Sequence, residues 1–212
     1  MKLNRNEQSR KIAPEPVFLG LMSMQCAHAV IVISDTFAGT PQANWPGDSI
    51  FLSIPQPGNV TGLPSVNLVG PGFFPTLAPA GQNAVDLDGS TGYGNSPAGE
   101  LQSVQSLALG NYTVQFELAG NMRGATAQTT DICIGTSCQS LTPSNTQPYT
   151  LYDLTFTGVS GQVSFTDGGP FDQQGNLLAD VVVSTPGPVP GAGLAGLAAL
   201  ALAGLYARTR RA

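Results

Sequence analysis

Gly110-Asn-Tyr-Thr-Val-Gln-Phe-Glu-Leu-Ala-Gly-Asn-Met-Arg-Gly124 is the most legible stretch of this 212-residue chain. Tyr112, Val114, Phe116 and Leu118 alternate with Thr113, Gln115 and Glu117. A period of two puts the first set on one face of a half-buried β-strand and the second set on the other. Leu109-Gly110-Asn111 ahead of it reads as a turn.

Working outward, weaker alternation marks strands at 50–54, 65–69, 84–87, 101–107, 149–157, 162–166 and 177–184. Gly158-Val-Ser-Gly161 reads as a turn between two of them. Residues 41–79, rich in proline and glycine, read as loops crossing one end. No stretch between 30 and 187 keeps a helical period, so the expectation is an all-β fold of about eight short strands, a β-sandwich or jelly roll.

The two ends differ in kind from the middle. Lys2, Arg5, Arg10 and Lys11 precede a short apolar run and Ala27-His28-Ala29, which has the small-x-small form of a signal-peptide cleavage site. At the other end an uncharged run, 192–207, is followed by Arg208, Arg210 and Arg211. As a helix it would reach roughly 25 Å, enough to enter a bilayer core of ~30 Å. The arginines would stay on the cytoplasmic side. The reading divides the chain into a signal peptide (1–29), one β-domain (30–184) and a C-terminal sorting segment (185–212).

Charge separates along the same boundaries. Seven of the eight Lys and Arg residues lie in the two end segments, leaving Arg123 alone against eleven acids in 30–187. A domain near −10 repels phosphate and has no counterion release to drive nucleic-acid binding, which is excluded. Self-repulsion favours a soluble monomer. The one histidine, His28, falls in the leader, so the domain has no imidazole for a triad or a transition-metal site. Cys133 and Cys138 remain, and in an oxidising compartment they read as a disulfide closing a tight loop. The rival readings are a redox motif, for which the spacing is wrong, and half of a zinc site.

The C-terminal motif, Pro186-Gly-Pro188-Val-Pro190 with the Gly/Ala-rich helix and arginine tail, resembles the PEP-CTERM sorting signal, closest to variants without the central glutamate. That resemblance implies passage through the inner membrane, cleavage near the proline motif by an exosortase-type transpeptidase, and delivery to the cell surface or extracellular matrix. A second resemblance lies inside the domain. Val85-Asp-Leu-Asp-Gly-Ser-Thr91, the 110–124 block and Gly168-Gly…Leu177-Leu-Ala-Asp-Val-Val-Val183 occur in that order. Together they are similar to galactose-binding-like β-sandwich domains of the DUF642 kind. The resemblance implies a jelly roll and, by analogy, binding of an extracellular polysaccharide.

Four residues are candidates for ligand binding. Asp86 and Asp88, two apart on an expected strand, would project from one face about 7 Å apart. There they would share a calcium ion or a sugar, or else cap backbone amides in the turn that follows. Asn121 and Arg123 offer the planar donors that sugar hydroxyls require, and Trp45 or Tyr93 would stack on a sugar face unless they fill the core. A structural calcium is the one cofactor considered, with Asp86, Asp88 and Asp180 as its candidate ligands. Asp180, inside an apolar strand, would alternatively pair with Arg123. Asp167-Gly-Gly-Pro-Phe-Asp172 with Asn176 makes an acidic turn that resembles a calcium loop, although its spacing does not match an EF-hand and Gly-Gly-Pro is a turn in its own right. No residue is assigned a catalytic role. The alternatives to a binding or adhesive protein are a purely structural envelope protein and a carboxylate-only glycosidase or lyase. The last would pair Asp86 or Asp88 with Glu100 or Glu117.

Overall fold

The computed structural model describes residues 29–54, 66–89, 99–124, 126–169 and 172–187. The signal-peptide reading except for Ala29, Tyr93, and the sorting segment from Pro188 onward lie outside these residues. Among the described residues no helix is long and apolar enough to cross a membrane.

The described chain is all-β. Its strands are β1 (Val30–Asp35), β2 (Phe51–Ile54), β3 (Asn67–Val69), β4 (Ala84–Asp86), β5 (Glu100–Ala119), β6 (Thr130–Ile134), β7 (Ser137–Leu141), β8 (Thr150–Asp167) and β9 (Leu177–Thr185). Two of them correct the expectation of short strands, since β5 has 20 residues and β8 has 18. The expected turns at 109–111 and 158–161 are bends within these strands. Gly158 (φ 65°) and Gly161 (φ 120°) adopt left-handed backbone at no steric cost. The Asn111 side chain accepts the Gly158 amide at 2.9 Å, pinning the bend across the pair. Three strands, β1, β6 and β7, were not expected.

β5 and β8 form one antiparallel ribbon from Glu100↔Thr166 to Leu118↔Thr150. Its register breaks between Gln102 and Tyr112, and the neighbours change there. On the near side β5 takes β2, while β8 takes β6 and then β7. On the far side β5 takes β9, whose outer edge carries β4 and then β1. The bent ribbon therefore belongs to two layers, which is how one continuous ladder makes a sandwich.

Aromatic rings join the layers. Phe116, from the far half of β5, meets Phe165, from the near half of β8, edge-on at 5.3 Å. Phe165 leads to Phe51, Phe51 to Phe37 and Phe37 to Trp45, each step 6.1 Å between centroids. Each such pair adds about 0.5–1.5 kcal/mol beyond the area it buries. Tyr112, Val114, Phe116 and Leu118 all face this core, as their alternation requires. A smaller cluster of Val69, Leu77, Ala84, Ala119, Leu177 and Ala179 lies apart from it, with Phe73, Ala78 and Tyr149 packed against it. Tyr149 anchors there by donating to the Leu77 carbonyl at 2.7 Å.

Cys133 and Cys138 are directly opposite in the β6–β7 hairpin and are disulfide-bonded. Gly135 in the hairpin turn has φ 59°, and a Cβ there would stand 2.2 Å from the Ser160 carbonyl oxygen. Only glycine lets the turn rest against β8 in this way.

Asp35 at the end of β1 is buried, with Oδ1 accepting the Phe37 amide at 2.7 Å and Oδ2 lacking a partner. Burial, reinforced by the Asp48 charge, raises its pKa from 3.8 to about 6, while the Phe37 amide opposes the rise. Its contribution to stability is therefore complete below about pH 4 and is lost as pH climbs through about 6. Asp35→Asn keeps the acceptor for Phe37 and removes the charge. Urea unfolding at pH 4 to 7.5 is expected to show a shallower loss of stability in Asp35→Asn than in the wild type. Parallel curves would refute this assignment.

Candidate functional site

Antiparallel pairing brings the four predicted ligand residues to one end of the sandwich. β9 begins at Leu177, which pairs with Asp86 of β4 on one side and Ala119 of β5 on the other. Asp86 thus ends its strand next to the loop carrying Asn121 and Arg123.

Arg123 closes this end. Its Nη1 donates to Asp86 Oδ2 at 2.7 Å, its Nε to the Asn121 carbonyl at 3.2 Å and its Nη2 to the Gly175 carbonyl at 3.3 Å. Asn121 is buried and holds the loop from inside. Its Oδ1 accepts the Arg123 amide at 3.0 Å and its Nδ2 donates to the Thr126 carbonyl at 2.9 Å. Asp86 is fully buried, whereas the Arg123 side chain is 21% exposed. Burial pushes Asp86 up to about 7, against the downward pull of the Arg123 charge and hydrogen bond. The expected Asp180–Arg123 pair is corrected by this geometry. Asp180 sits at a register break of β9 with φ 46° and is half-buried, so it does not need the buried counter-charge that Asp86 requires.

Asp88 lies just past β4 and acts on a distant loop. Its Oδ2 accepts the amides of Asp172 at 3.0 Å and Gln173 at 2.7 Å, so one carboxylate ties the β4–β5 loop to the β8–β9 loop. The contact is close, because a Cβ at Gly175 would stand 2.1 Å from the Asp88 nitrogen. Burial raises the Asp88 pKa, and the accepted amides work against that rise.

The same end holds polar groups that the spacing of Asp86 and Asp88 did not signal. Asp167 ends β8 and is 3% exposed, with only the Gly169 amide, outside normal hydrogen-bond geometry, beside its carboxylate. Burial first, then the charges of Asp88, Asp86 and Asp172, raises it to about 8, and the Gly169 amide offsets only part of this. Gln128 and Asn176 are fully buried, each with an unpartnered side-chain oxygen. The acidic turn in the sequence contained Asp167 and Asn176; nothing in the sequence singles out Gln128.

Two features limit the chemistry. Both Asp86 oxygens are engaged, one by Arg123 and the other by the Asp88 amide at 3.3 Å, in a position without solvent access. A buried, bonded carboxylate cannot serve as a general acid or base on a polysaccharide. Trp45 is 3% exposed and set edge-on against Phe37, so it fills the core and does not stack on a ligand. Among the described residues, grooves of about 230 Å³ beside Ile50 and Val104 and of about 340 Å³ beside Gln82 and Asn83 open to the surface. Neither is lined by Asp86, Asp88, Asn121 or Arg123. Among the described residues no three His, Cys, Asp or Glu side chains group to hold a metal, so Asp86, Asp88 and Asp180 do not form one site.

The fold is shared with known proteins at low identity. The K3 adhesin domain of Lys-gingipain from Porphyromonas gingivalis superposes with a TM-score of 0.52 at 14% identity, covering 75% of this chain and all of that domain. More distant in shape is the C-terminal family 6 carbohydrate-binding module of a laminarinase from Zobellia galactanivorans. Its TM-score is 0.37 at 14% identity, covering 64% of this chain and 99% of the module. The family 35 module from Paenibacillus barcinonensis also gives 0.37, at 11% identity, covering 70% of this chain and all of the module. No protein-family model and no curated protein matches the sequence. The likeness to the adhesin domain shows the fold, a β-sandwich.

Arg123→Met would leave Asp86 buried without its partner, so that it either carries its charge unpaired or takes up a proton to fold. The expected loss is about 3 kcal/mol, the low end for a broken buried pair because Arg123 is partly solvated. The double variant Asp86→Asn with Arg123→Met is expected to recover a large part of that loss in urea unfolding. Strictly additive losses would show that the pair is not coupled.

Proposed function

We propose that this chain is an exported, non-catalytic β-sandwich that binds carbohydrate or adheres to surfaces in the cell envelope or extracellular matrix. The observation that supports it most is the shared fold, which spans the whole of a gingipain adhesin domain. The loop end agrees with it. Asp86 and Asp88, the acids an enzyme reading would need, are engaged in holding loops together. On this reading the 185–212 segment is the sorting signal that its sequence resembles, handled by an exosortase-type transpeptidase after insertion into the inner membrane. Ala27-His28-Ala29 is then the leader cleavage site, and the galactose-binding-like likeness of 85–183 points to polysaccharide as the ligand class.

The test uses protein recovered from its native cells, with its intact mass measured before it is presented to a glycan array and a polysaccharide panel. A mass corresponding to a chain from about residue 30 to the 186–190 motif is expected, with saturable binding to one glycan class and no release of reducing sugar. A chain still ending at Ala212 in the inner membrane would reject the sorting reading. Binding to no glycan would favour a purely structural envelope role. Reducing-sugar release that Asp86→Asn abolishes would make the protein a glycosidase or lyase.

A further inference from the structure

We propose that the end of the sandwich opposite the loop site is a foot that rests on the bilayer surface, with Val30, Ile31 and Leu109 against lipid. This rests on the reading of 192–207 as a bilayer segment and adds to it a surface of the folded domain. The ladders define that end. β1 begins at Val30 opposite Thr185, the last residue of β9, so the chain enters and leaves the domain side by side. Ser184, one residue earlier, pairs with Thr113 of β5, which places the 107–111 bend at the same end. The turn of the β6–β7 hairpin joins them, the Gly135 amide donating to the Gln162 carbonyl at 2.9 Å. β9 starts at the other end, where Leu177 faces Asp86.

Charge and exposure set the two ends apart. Residues 30–34, 101–116, 132–141, 154–166 and 181–187 contain no Asp, Glu, Lys or Arg, so all eleven acids of the domain lie outside these stretches. On the far side of the ribbon the nearest acids are Asp153, whose partner Gln115 is level with Val182, and Asp35, level with Val181. Those levels are three and four residues short of Thr185, roughly 10 and 13 Å at ~3.3 Å per residue. Repulsion from an anionic headgroup layer is screened over about 8 Å at physiological salt, so this end approaches one freely where the loop end does not. Val30, Ile31 and Leu109 are 61%, 62% and 77% exposed, more than any other large apolar side chain of the described residues, and all three are at this end. Asn111, Thr157 and Ser160, also exposed at the bend, are polar and uncharged.

Chain length brings this end to the membrane. Five residue steps separate Gly187 from Ala192, where the apolar run begins, and they span at most about 18 Å. β9 itself is nine residues long, which sets the loop end roughly 26 Å farther out at ~3.3 Å per residue. A domain held on so short a tail meets the surface with the end that bears the tail. Aliphatic side chains on an uncharged polar surface suit the headgroup boundary, where apolar groups settle by roughly 5–10 Å. The acidic loops then point away from the membrane, toward whatever the domain binds.

The full chain is reconstituted in vesicles of phosphatidylethanolamine and phosphatidylglycerol, with benzoylphenylalanine replacing Leu109 in one variant and Leu151 in another. Both positions are exposed, so neither replacement disturbs the core, and Leu151 is as apolar as Leu109. Leu151 pairs with Glu117, toward the loop end. After irradiation, mass spectrometry is expected to find lipid joined to the 109 probe and none above background on the 151 probe. Chain that alkaline carbonate strips from the vesicles would overturn the bilayer reading of 192–207 and this proposal with it. With the chain held by the vesicles, three results overturn the proposal alone. These are no lipid on the 109 probe, equal lipid on both probes, or a 109 probe joined to a second copy of the chain instead.

Discussion

One guanidinium must serve a domain full of acids. Arg123 is the only basic residue between 30 and 187, and it is bonded to the one carboxylate there that is fully buried and ends a central strand. Because no second base exists, the other buried acids meet their needs differently. Asp88 takes backbone amides from a loop 84 and 85 residues away, and Asp35 takes the amide of Phe37. Asp167 has only the Gly169 amide beside it. The arrangement of the loop end follows from this shortage. Strands deliver Asp86, Asp167 and Leu177 to one end, and polar side chains bind the connecting loops to each other there.

The core was more legible than the topology. Alternation along 112–118 identified the inward residues, because a strand half-buried against a sandwich core must repeat every two residues. It did not reveal that β5 continues back to Glu100, since Leu109-Gly110-Asn111 carries the same signals whether the chain turns or merely bends. The difference is decided by long-range partners, here β8 running alongside both halves. β7 gave no signal because its residues are polar and mostly exposed, and pairing with β6 alone makes it a strand. β6 has its buried residues Thr130, Ile132 and Ile134 alternating, but five residues broken by a cysteine are too few to stand out.

The site was legible in its residues and less so in its roles. Asp86, Asp88, Asn121 and Arg123 come together, although the sequence treated the two pairs separately and offered Asp180 as the partner of Arg123. Spacing alone treated the two aspartates as equivalent, whereas β4 stops at Asp86 and sends them to different partners. Gln128 was invisible, because a glutamine in a polar loop has no sequence mark of burial. Its burial appears only in the fold, where its amide nitrogen faces the Asp172 carboxylate.

Amide hydrogen exchange at Arg123, Asp172 and Gln173 tests the account most directly, since those three amides are held by Asn121 and Asp88 side chains and belong to no strand. If the buried side chains lock the loops into one unit, these amides exchange together and far more slowly than free peptide. Exchange at free-peptide rates would contradict the account and leave this end as ordinary loops on a stable sandwich.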